Sequence, residues 1–295
     1  MFELADAHIR KICAALNIST DDITDCRRNE AGLNNDTWII SAPQGHWLYR
    51  VPGLGTELFC DRAAEAALYP LIQPFGISDE LVFIEADTGL KLSVYSPDSH
   101  TADIDNTDDL QQAMAILRQL HALPVRVPRY DDYPARITRY RAIAERVNAV
   151  FDPVYAGLAA RTLHLFETDP DATPPVLSHC DFLPPNILFR TGHRMPIVLD
   201  WEFACMGPAL DDIGSFCHHA DLPQETVDQV ASFYFERQPD DTEQRAVYRS
   251  CAAAAIMWYS WGIFKIATGS DFTVYNDYAQ QSLAYCARFL SLAEG

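Results

Sequence analysis

Alternating hydrophobic and polar residues dominate the first third of the chain, a pattern typical of strands with one buried face. TDCRRNEAGLNNDTWIISAPQGHWLYRVPG contains three such runs separated by the turn clusters AGLNN and APQG, which predicts a three-strand antiparallel meander. LVFIEADTGLKLSVY predicts a second hairpin around Asp87–Gly89. Between them, ELFCDRAAEAALYPLI has the spacing of a helix, with Glu57, Asp61 and Glu65 at four-residue intervals. We therefore expect residues 1–95 to form a small α+β lobe.

The rest of the chain has mainly helical periodicity. SPDSHTADIDNTDD is polar and acidic and predicts a hinge that leads into a helix N-terminus. From DLQQAMAILRQLHAL onward the helical pattern is interrupted only by HCDFLPPNIL and its apolar flanking runs, PPVLS and MPIVLDWEF. The apolar run CAAAAIMWYSWGIF is too short to span a bilayer and predicts a buried helix. We expect residues 96–295 to form a second, helical lobe, with a cleft between the two lobes.

Composition narrows the class of protein. The 295 residues are 48% hydrophobic and 21% charged, as in ordinary globular proteins. A formal charge of −19 repels phosphate backbones and anionic lipid, so nucleic acid and membrane insertion are not expected, whereas a cationic small molecule is attracted. The eight cysteines form no compact framework, and the N-terminal MFELADAHIRKIC is typical of an amphipathic helix, which predicts a reduced, cytoplasmic protein. The oligomeric state stays open, a homodimer being one alternative.

The polar loop HCDFLPPNIL has the spacing H-x-D-x-x-x-x-N of the catalytic loop in kinase-like phosphotransferases. Asp181 is placed to accept the proton of an attacking hydroxyl group, and Asn186 with Asp200 to bind Mg²⁺ as oxygen ligands. A loop in which these side chains only satisfy backbone groups is the alternative for this motif alone. Because DWE follows after a strand of suitable length, the catalytic interpretation is favoured. A structural metal site built from HCD, His179–Asp181, with His218 and His219 is excluded by its spacing.

The nucleotide side carries weaker signals. Neither a P-loop nor a GxGxxG motif is present, and AGLNND, Ala31–Asp36, is by itself best explained as a hairpin turn. Arg50 lies among apolar residues of the third strand and needs an anionic partner. Glu65 on the following helix is the first candidate, and Glu57 and Asp61 are rivals.

Two tryptophans mark the predicted buried helix. Trp258 and Trp261 are three residues apart and lie on one helical face, where tryptophan rings can attract an ammonium group. On spacing alone, ordinary core packing is the better explanation.

Taken together, these segments resemble the choline/ethanolamine kinases, within the wider aminoglycoside-phosphotransferase-like family. AGLNNDTWII resembles the family's nucleotide loop, WLYRVPGLGTE its third strand, and DRAAEAALYPLI the helix that carries the partner Glu. HCDFLPPNIL and VLDWEFACMGPALDDIGSF resemble the catalytic loop and metal segment, and MWYSWGIFKIATGSDFTVYNDYA the C-terminal helix that lines the choline pocket. The resemblance implies a protein-kinase-like two-lobed α+β fold, with an antiparallel-sheet N-lobe and a mainly helical C-lobe.

The resemblance also implies site residues for an ATP- and Mg²⁺-dependent phosphotransfer. It makes Asp181 the catalytic base, with Asn186 and Asp200 as metal ligands and Glu202 as a second acidic group near the metals. Asp212 would brace the catalytic loop. The residues implied in nucleotide binding are Asn34 and Asn35 of the loop, Arg50 paired with Glu65, and the backbone of Val94, Tyr95 and Ser96.

On the acceptor side, the resemblance implies that Trp258 and Trp261 form part of an ammonium cage next to Asp181. One departure concerns SFCHHADLPQE, where His219 stands in place of an expected acid. Either other residues complete the cage, for example aromatic residues of TVYNDY such as Tyr275, or the acceptor is not choline. The predicted acceptor is a small amino alcohol, choline or ethanolamine. The alternatives are another cationic hydroxyl compound, such as thiamine or an aminoglycoside, and a catalytically inactive binding module.

Overall fold

The computed structural model describes residues 3–29, 35–53, 55–168 and 173–295. The chain divides into two compact units, one made of residues 3–101 with Leu188–Phe203, the other of Ala102–Ile187 with Ala204–Gly295. The sequence interpretation placed a single boundary between residues 95 and 96. The segment Leu188–Phe203 joins the first unit because its first strand pairs with the strand Ser99–Thr101.

The strands, in chain order, are β1 Asp25–Asn29, β2 Asn35–Ala42, β3 Gly45–Pro52, β4 Leu81–Ile84, β5 Lys91–Val94, β6 Ser99–Thr101, β7 Val176–Ser178, β8 Ile187–Arg190, β9 Ile197–Val198 and β10 Cys205–Gly207. The first five form an antiparallel sheet in the order β1-β2-β3-β5-β4. This confirms the predicted meander and second hairpin. The register places Arg50 of β3 directly opposite Lys91 of β5, so two cations occupy neighbouring strands at one level of the sheet.

Two helices accompany this sheet, α1 Asp6–Leu16 and α2 Arg62–Ile72. Helix α2 begins later than the predicted helical segment, because Asp61 has extended backbone geometry and its side chain accepts a hydrogen bond from the amide of Ala64 at 3.0 Å. Glu57 therefore lies outside the helix, in a short 3₁₀ turn at Thr56–Leu58.

The predicted hinge contains a strand. Ser99–Thr101 forms β6, which pairs with β8 in a three-stranded sheet of order β6-β8-β9. The next helix begins at Thr107, where the side chain of Asn106 accepts the amide of Asp108 at 3.0 Å. The polar composition of the segment thus reflects an edge strand and a helix cap as well as a connection between units.

The second unit is built from helices α3 Thr107–His121, α4 Tyr133–Arg146, α5 Tyr155–Thr168, α6 Ala209–His219, α7 Gln224–Phe235, α8 Asp241–Ala267 and α9 Phe272–Ala293. Strands β7 and β10 form an antiparallel pair within it. Residues Val247–Phe264 of α8 are all buried, which confirms the prediction for this apolar run. A methyl group at Gly214 of α6 would lie 2.4 Å from the carbonyl oxygen of Ser250, so glycine lets α6 and α8 approach closely. In the described ranges, no helix combines the length and apolar character needed to cross a bilayer.

Candidate active site

The catalytic-loop motif begins where β7 ends, and a buried carboxylate of α6 holds its backbone. Asp212 is fully buried and accepts hydrogen bonds from the amide of His179 at 2.8 Å and from that of Cys180 at 2.6 Å. Cys180 has a left-handed backbone with φ +64°, a conformation that non-glycine residues seldom adopt. The hydrogen bonds that these two backbone amides donate to Asp212 stabilise the bend. Asp212 therefore contacts the loop that the family resemblance implied it would brace.

Asp212 has a third partner that the sequence did not reveal. His121, at the end of α3, lies 3.0 Å from it through Nε2, and the other ring nitrogen of His121 lies 2.8 Å from the Tyr234 hydroxyl group. Burial acts to raise the pKa of Asp212, but the hydrogen bond and charge of His121 and the backbone amides lower it below its ordinary value. The carboxylate is thus kept ionised in the protein interior.

The side chains of Asp181 and Asn186 meet across the loop. The Asn186 amide nitrogen donates to the Asp181 carbonyl oxygen at 2.9 Å and to its carboxylate Oδ2 at 3.2 Å. Pro184–Asn186 forms a 3₁₀ turn, for which the two prolines preset the backbone φ. Since the amide nitrogen is used within the loop, the amide oxygen is the Asn186 atom that a metal ion would bind.

In the first unit, Arg50 organises a buried cluster of acids. Its guanidinium group binds Glu65 in a bidentate manner, at 2.9 and 2.6 Å, with only 4% of the Arg50 side chain and none of the Glu65 side chain exposed. The remaining hydrogen of Nη1 reaches Asp200 at 2.8 Å. Glu65 is therefore the partner of Arg50, while Glu57 lies 3.8 Å from Arg62 and Asp61 caps α2.

Glu202 lies near the same guanidinium nitrogen as Asp200, 3.8 Å from Nη1. Its Oε1 accepts a hydrogen bond from the side-chain amide of Asn35 at 3.3 Å. Burial and the negative charge of Asp200 raise the pKa of Glu202 to about 8. Three carboxyl groups thus surround one arginine, and this excess of acidic groups suits a divalent cation.

The donor set fits Mg²⁺ in particular. Asp200 has a left-handed backbone, φ +61°, and its side chain is 29% exposed, so its carboxylate is accessible as well as bound to Arg50. Magnesium prefers oxygen ligands and takes one or two carboxylates together with phosphate and water. Among the described residues, no group of three or more acidic, histidine or cysteine side chains is arranged to hold a metal ion by itself.

A second buried ion pair lies beside Arg50. Lys91 of β5 contacts Asp79 at 3.1 Å and the Tyr69 hydroxyl group at 2.6 Å, and that hydroxyl group donates to Asp79 at 2.7 Å. Burial acts against the charged form of Asp79, but Lys91 and Tyr69 hold its pKa below the ordinary value. No sequence pattern indicated this pair, because its members come from different elements.

The predicted nucleotide-binding positions are only partly described. Asn34 lies outside the described residues. Asn35 accepts the amide of Gly53 at 3.4 Å besides donating to Glu202. In the predicted adenine segment, the backbone amide of Val94 donates to the carbonyl oxygen of Glu80 at 2.8 Å, and that of Tyr95 to the carbonyl oxygen of His46 at 2.9 Å. The Ser96 carbonyl oxygen accepts a hydrogen bond from the Ser99 hydroxyl group at 2.6 Å.

The two tryptophans of α8 belong to an aromatic cluster. The ring of Trp261 is perpendicular to that of Trp258, with centroids 5.5 Å apart, and it also contacts Tyr275 at 5.4 Å and Tyr278 at 5.8 Å. The ring of Trp258 is in turn nearly perpendicular to that of Tyr140, with centroids 6.2 Å apart. Tyr275 thus lies beside Trp261, in the cluster that the sequence interpretation assigned to the acceptor.

Tyr278 also belongs to this aromatic cluster, because its ring contacts that of Trp261. Burial and then the negative charge of Asp181 raise the pKa of Tyr278 well above its ordinary value. The predicted base and the predicted acceptor residues lie in the same unit of the chain.

His219 supplies no charge to this region. Burial lowers its pKa below the ordinary value. The adjacent His218 is bound to the Ser282 hydroxyl group at 2.9 Å, and burial lowers its pKa to about 3. Both imidazoles are therefore neutral at pH 7, and the acid expected at position 219 has no charged substitute there.

The fold and these residues define a kinase-like small-molecule phosphotransferase. The chain belongs to the phosphotransferase enzyme family, whose model matches residues 25–249. This confirms the resemblance seen in the sequence. No curated protein sequence matches the chain significantly.

Solved structures share the fold over nearly the whole chain. A choline/ethanolamine kinase family protein from Mesorhizobium loti is 21% identical, with 98% of each chain covered and a TM-score of 0.78. Choline kinase LicA from Streptococcus pneumoniae is 16% identical, with 96% of this chain and 99% of that chain covered and a TM-score of 0.81. A macrolide 2′-phosphotransferase from Brachybacterium faecium is 21% identical, with 95% and 98% covered and a TM-score of 0.62.

Proposed function

We propose that this protein is an ATP- and Mg²⁺-dependent kinase that phosphorylates the hydroxyl group of a small amino alcohol, with choline and ethanolamine as the first candidates. The observation that carries the proposal is the contact of Asp181 with Asn186 in a loop braced by Asp212. A carboxylate and an amide held at this spacing match the base and the metal ligand of phosphoryl transfer.

The base has a defined role in this scheme. One Asp181 oxygen, Oδ2, faces the Asn186 amide nitrogen. The Asp181 carboxylate accepts the proton of the acceptor hydroxyl group as the oxygen of that hydroxyl group bonds to the γ-phosphorus of ATP. The bond between the γ-phosphorus and the ADP oxygen breaks, so the products are ADP and the phosphorylated acceptor. Proton transfer to a positioned carboxylate contributes about 10²–10⁴-fold to such rates.

The first unit supplies the residues for the nucleotide side of the proposal. LicA has been solved with AMP, and an aminoglycoside phosphotransferase with ADP, which supports a nucleotide donor here. Asp200 and Glu202 would be the ligands that this unit offers to Mg²⁺, and the ion would supply neutralisation of phosphate charge when bound. Arg50 provides a fixed positive charge beside Asp200 for phosphate oxygens. The scattered cysteines support a reducing compartment, and we place the reaction in the cytoplasm.

The acceptor assignment depends on the aromatic cluster. Tyr140, Trp258, Trp261 and Tyr275 offer aromatic rings to a small amine, in the unit that also carries Asp181. This arrangement favours a small amine over a large aminoglycoside, which would be expected to bind in a wide acidic groove.

The proposal is tested by ADP release from Mg²⁺ and ATP with choline, ethanolamine, thiamine and kanamycin as separate acceptors. We expect ADP release above the acceptor-free rate with an amino alcohol, and loss of that signal when Mg²⁺ is chelated. Turnover only with thiamine or kanamycin would contradict the acceptor class. Mg²⁺-independent turnover would contradict the mechanism.

A further inference from the structure

The chain has only three lysines, and their electrostatic environments differ sharply. Lys11 forms an ion pair with Glu85, and Lys91 forms one with Asp79. Lys265 has no carboxylate within ion-pair distance in the described ranges, although the whole sequence carries 41 acidic residues. An unpaired lysine in such an acidic protein calls for a physical explanation.

The position of Lys265 supplies one. It lies on α8, four residues after Trp261, and its ammonium nitrogen lies 5.8 Å from the ring centroid of Trp261 and 5.7 Å from that of Tyr275. Both distances are within the range of a cation–π contact. The side chain is half-buried, and burial alone lowers its pKa from the ordinary value. The protein's own ammonium group therefore stands at the aromatic rings that a cationic acceptor would use.

A second polar group of the same cluster lacks a hydrogen-bond partner among the described residues. The indole N–H of Trp258 is buried and has no hydrogen-bond acceptor within the part of the chain that the structure describes. A half-buried ammonium group and an unsatisfied N–H donor both favour an oxygen-bearing, negatively charged partner.

We propose that the acceptor carries an anionic group, a carboxylate, that pairs with Lys265, and that Lys265 is the residue that sets acceptor specificity. The inference rests on the proposed kinase function and narrows its substrate class, from simple amino alcohols to hydroxy compounds with both an amine and a carboxylate. Lys265 repels the ammonium of choline at Trp261 and Tyr275 and attracts the carboxylate of a zwitterion. The hydroxyl group of that zwitterion is then directed to Asp181 of the same unit, whose charge acts on Tyr278 of the aromatic cluster.

Two matched pairs of acceptors test the inference. L-Serine is ethanolamine with a carboxylate added, and L-carnitine is choline with a carboxymethyl group added. ADP release with Mg²⁺ and ATP is measured for all four compounds, and binding is measured by calorimetry in the presence of Mg²⁺ and ADP. The variants are Lys265→Met, which keeps the apolar length without charge, Lys265→Arg, which keeps the charge, and Lys11→Met as a control at a distant lysine.

In the wild type, we expect the carboxylated member of at least one pair to have kcat/KM or affinity higher by about tenfold or more, as one charge-assisted hydrogen bond provides. Lys265→Met should lose this preference through the acceptor KM, with the KM for ATP unchanged, and should gain affinity for choline. Lys265→Arg should retain the preference, and Lys11→Met should behave as the wild type.

The opposite results overturn the inference. In the wild type, it is overturned by a preference for choline or ethanolamine, by equal use of both members of each pair, or by absence of binding of both carboxylated compounds. It is also overturned if Lys265→Met keeps the wild-type preference. The kinase function fails in a different way, namely if the protein does not bind ATP in a Mg²⁺-dependent manner. The two failures are therefore distinguishable.

Discussion

Arg50 donates a hydrogen bond to Asp200 at 2.8 Å while it binds Glu65 in a bidentate manner. One guanidinium group thus ties the helix α2 to the predicted metal-binding aspartate. The pair is buried on the Arg50 side and partly exposed on the Asp200 side. This arrangement holds the aspartate in place and leaves part of its carboxylate accessible to a ligand.

Removal of Arg50 should destabilise the protein. Arg50→Met would leave Glu65 buried without a counter-charge, beside Asp200 and Glu202, and should lower the free energy of unfolding by about 3–5 kcal/mol. Denaturant unfolding measures this change. Arg141→Ala is the control, since its ion pair with Glu145 is on the surface and should contribute less than about 1 kcal/mol. Similar losses in the two variants would contradict the buried-cluster account.

Asp200 should be required for metal-dependent nucleotide binding. Asp200→Ala removes a carboxylate from the proposed Mg²⁺ site but leaves the bidentate contact of Arg50 with Glu65 intact. We expect Mg²⁺-dependent ATP affinity, measured by calorimetry, to fall by about tenfold or more, since a ligand carboxylate is lost. Asp87→Ala, in an exposed turn, is the control. Undiminished Mg²⁺-dependent binding would remove Asp200 from the metal site.

The residues found from the sequence share one property, which is a fixed spacing along the chain. Asp181 and Asn186 lie in one loop, and Asp200 follows one strand later, so their relation is readable without the fold. The partner of Arg50 could be narrowed to three acids because helix α2 follows its strand. The bidentate hydrogen bonds of Arg50 with Glu65 decide among the three.

The residues that the sequence missed are linked by long-range contacts. His121 reaches Asp212 from 91 positions away, and nothing in the local pattern of α3 marks it. Lys91 and Asp79 pair across a hairpin whose alternation shows only which strand positions are buried. Lys265 is an ordinary lysine at the end of an apolar helix until the rings around it are known. Such relations depend on tertiary packing, which leaves no short-range signature.

The pair formed by Asp79 and Lys91 should make stability depend on acid pH. The pKa of Asp79 is lower in the folded protein than its ordinary value, so its contribution to stability is complete above that ordinary value, about 3.9. The contribution is then lost as the pH falls through the folded-state pKa. Asp79→Asn leaves Lys91 buried without its charge partner and should lower the free energy of unfolding at pH 7 by about 3–5 kcal/mol.

The free energies of unfolding of the wild type and of Asp79→Asn, measured at a series of pH values, test this pH dependence. The difference between them should be largest at neutral pH and should shrink as the pH falls below about 4. A difference that stays constant over the whole range, or grows in acid, would contradict the assigned charge state of Asp79.

Trp258 should affect the acceptor more than the nucleotide. Its ring belongs to the aromatic cluster proposed to bind the acceptor. A cation–π contact is worth about 0.5–2 kcal/mol, so Trp258→Ala should raise the acceptor KM by about 2- to 30-fold. Steady-state kinetics with varied acceptor and varied ATP separate the two KM values. Trp201→Phe, in the core of the first unit, is the control that should change stability without this effect. Equal increases in both KM values would assign Trp258 to core packing.

The central claim is that Asp181 is the catalytic base of a phosphotransferase. The most direct test is single-turnover ADP formation by Asp181→Asn with the best acceptor, together with binding of ATP and Mg²⁺ by the same variant. We expect the rate to fall by about 10²–10⁴-fold with nucleotide binding and thermal stability retained, because only proton acceptance is removed. A near-native rate in the folded variant would contradict the account.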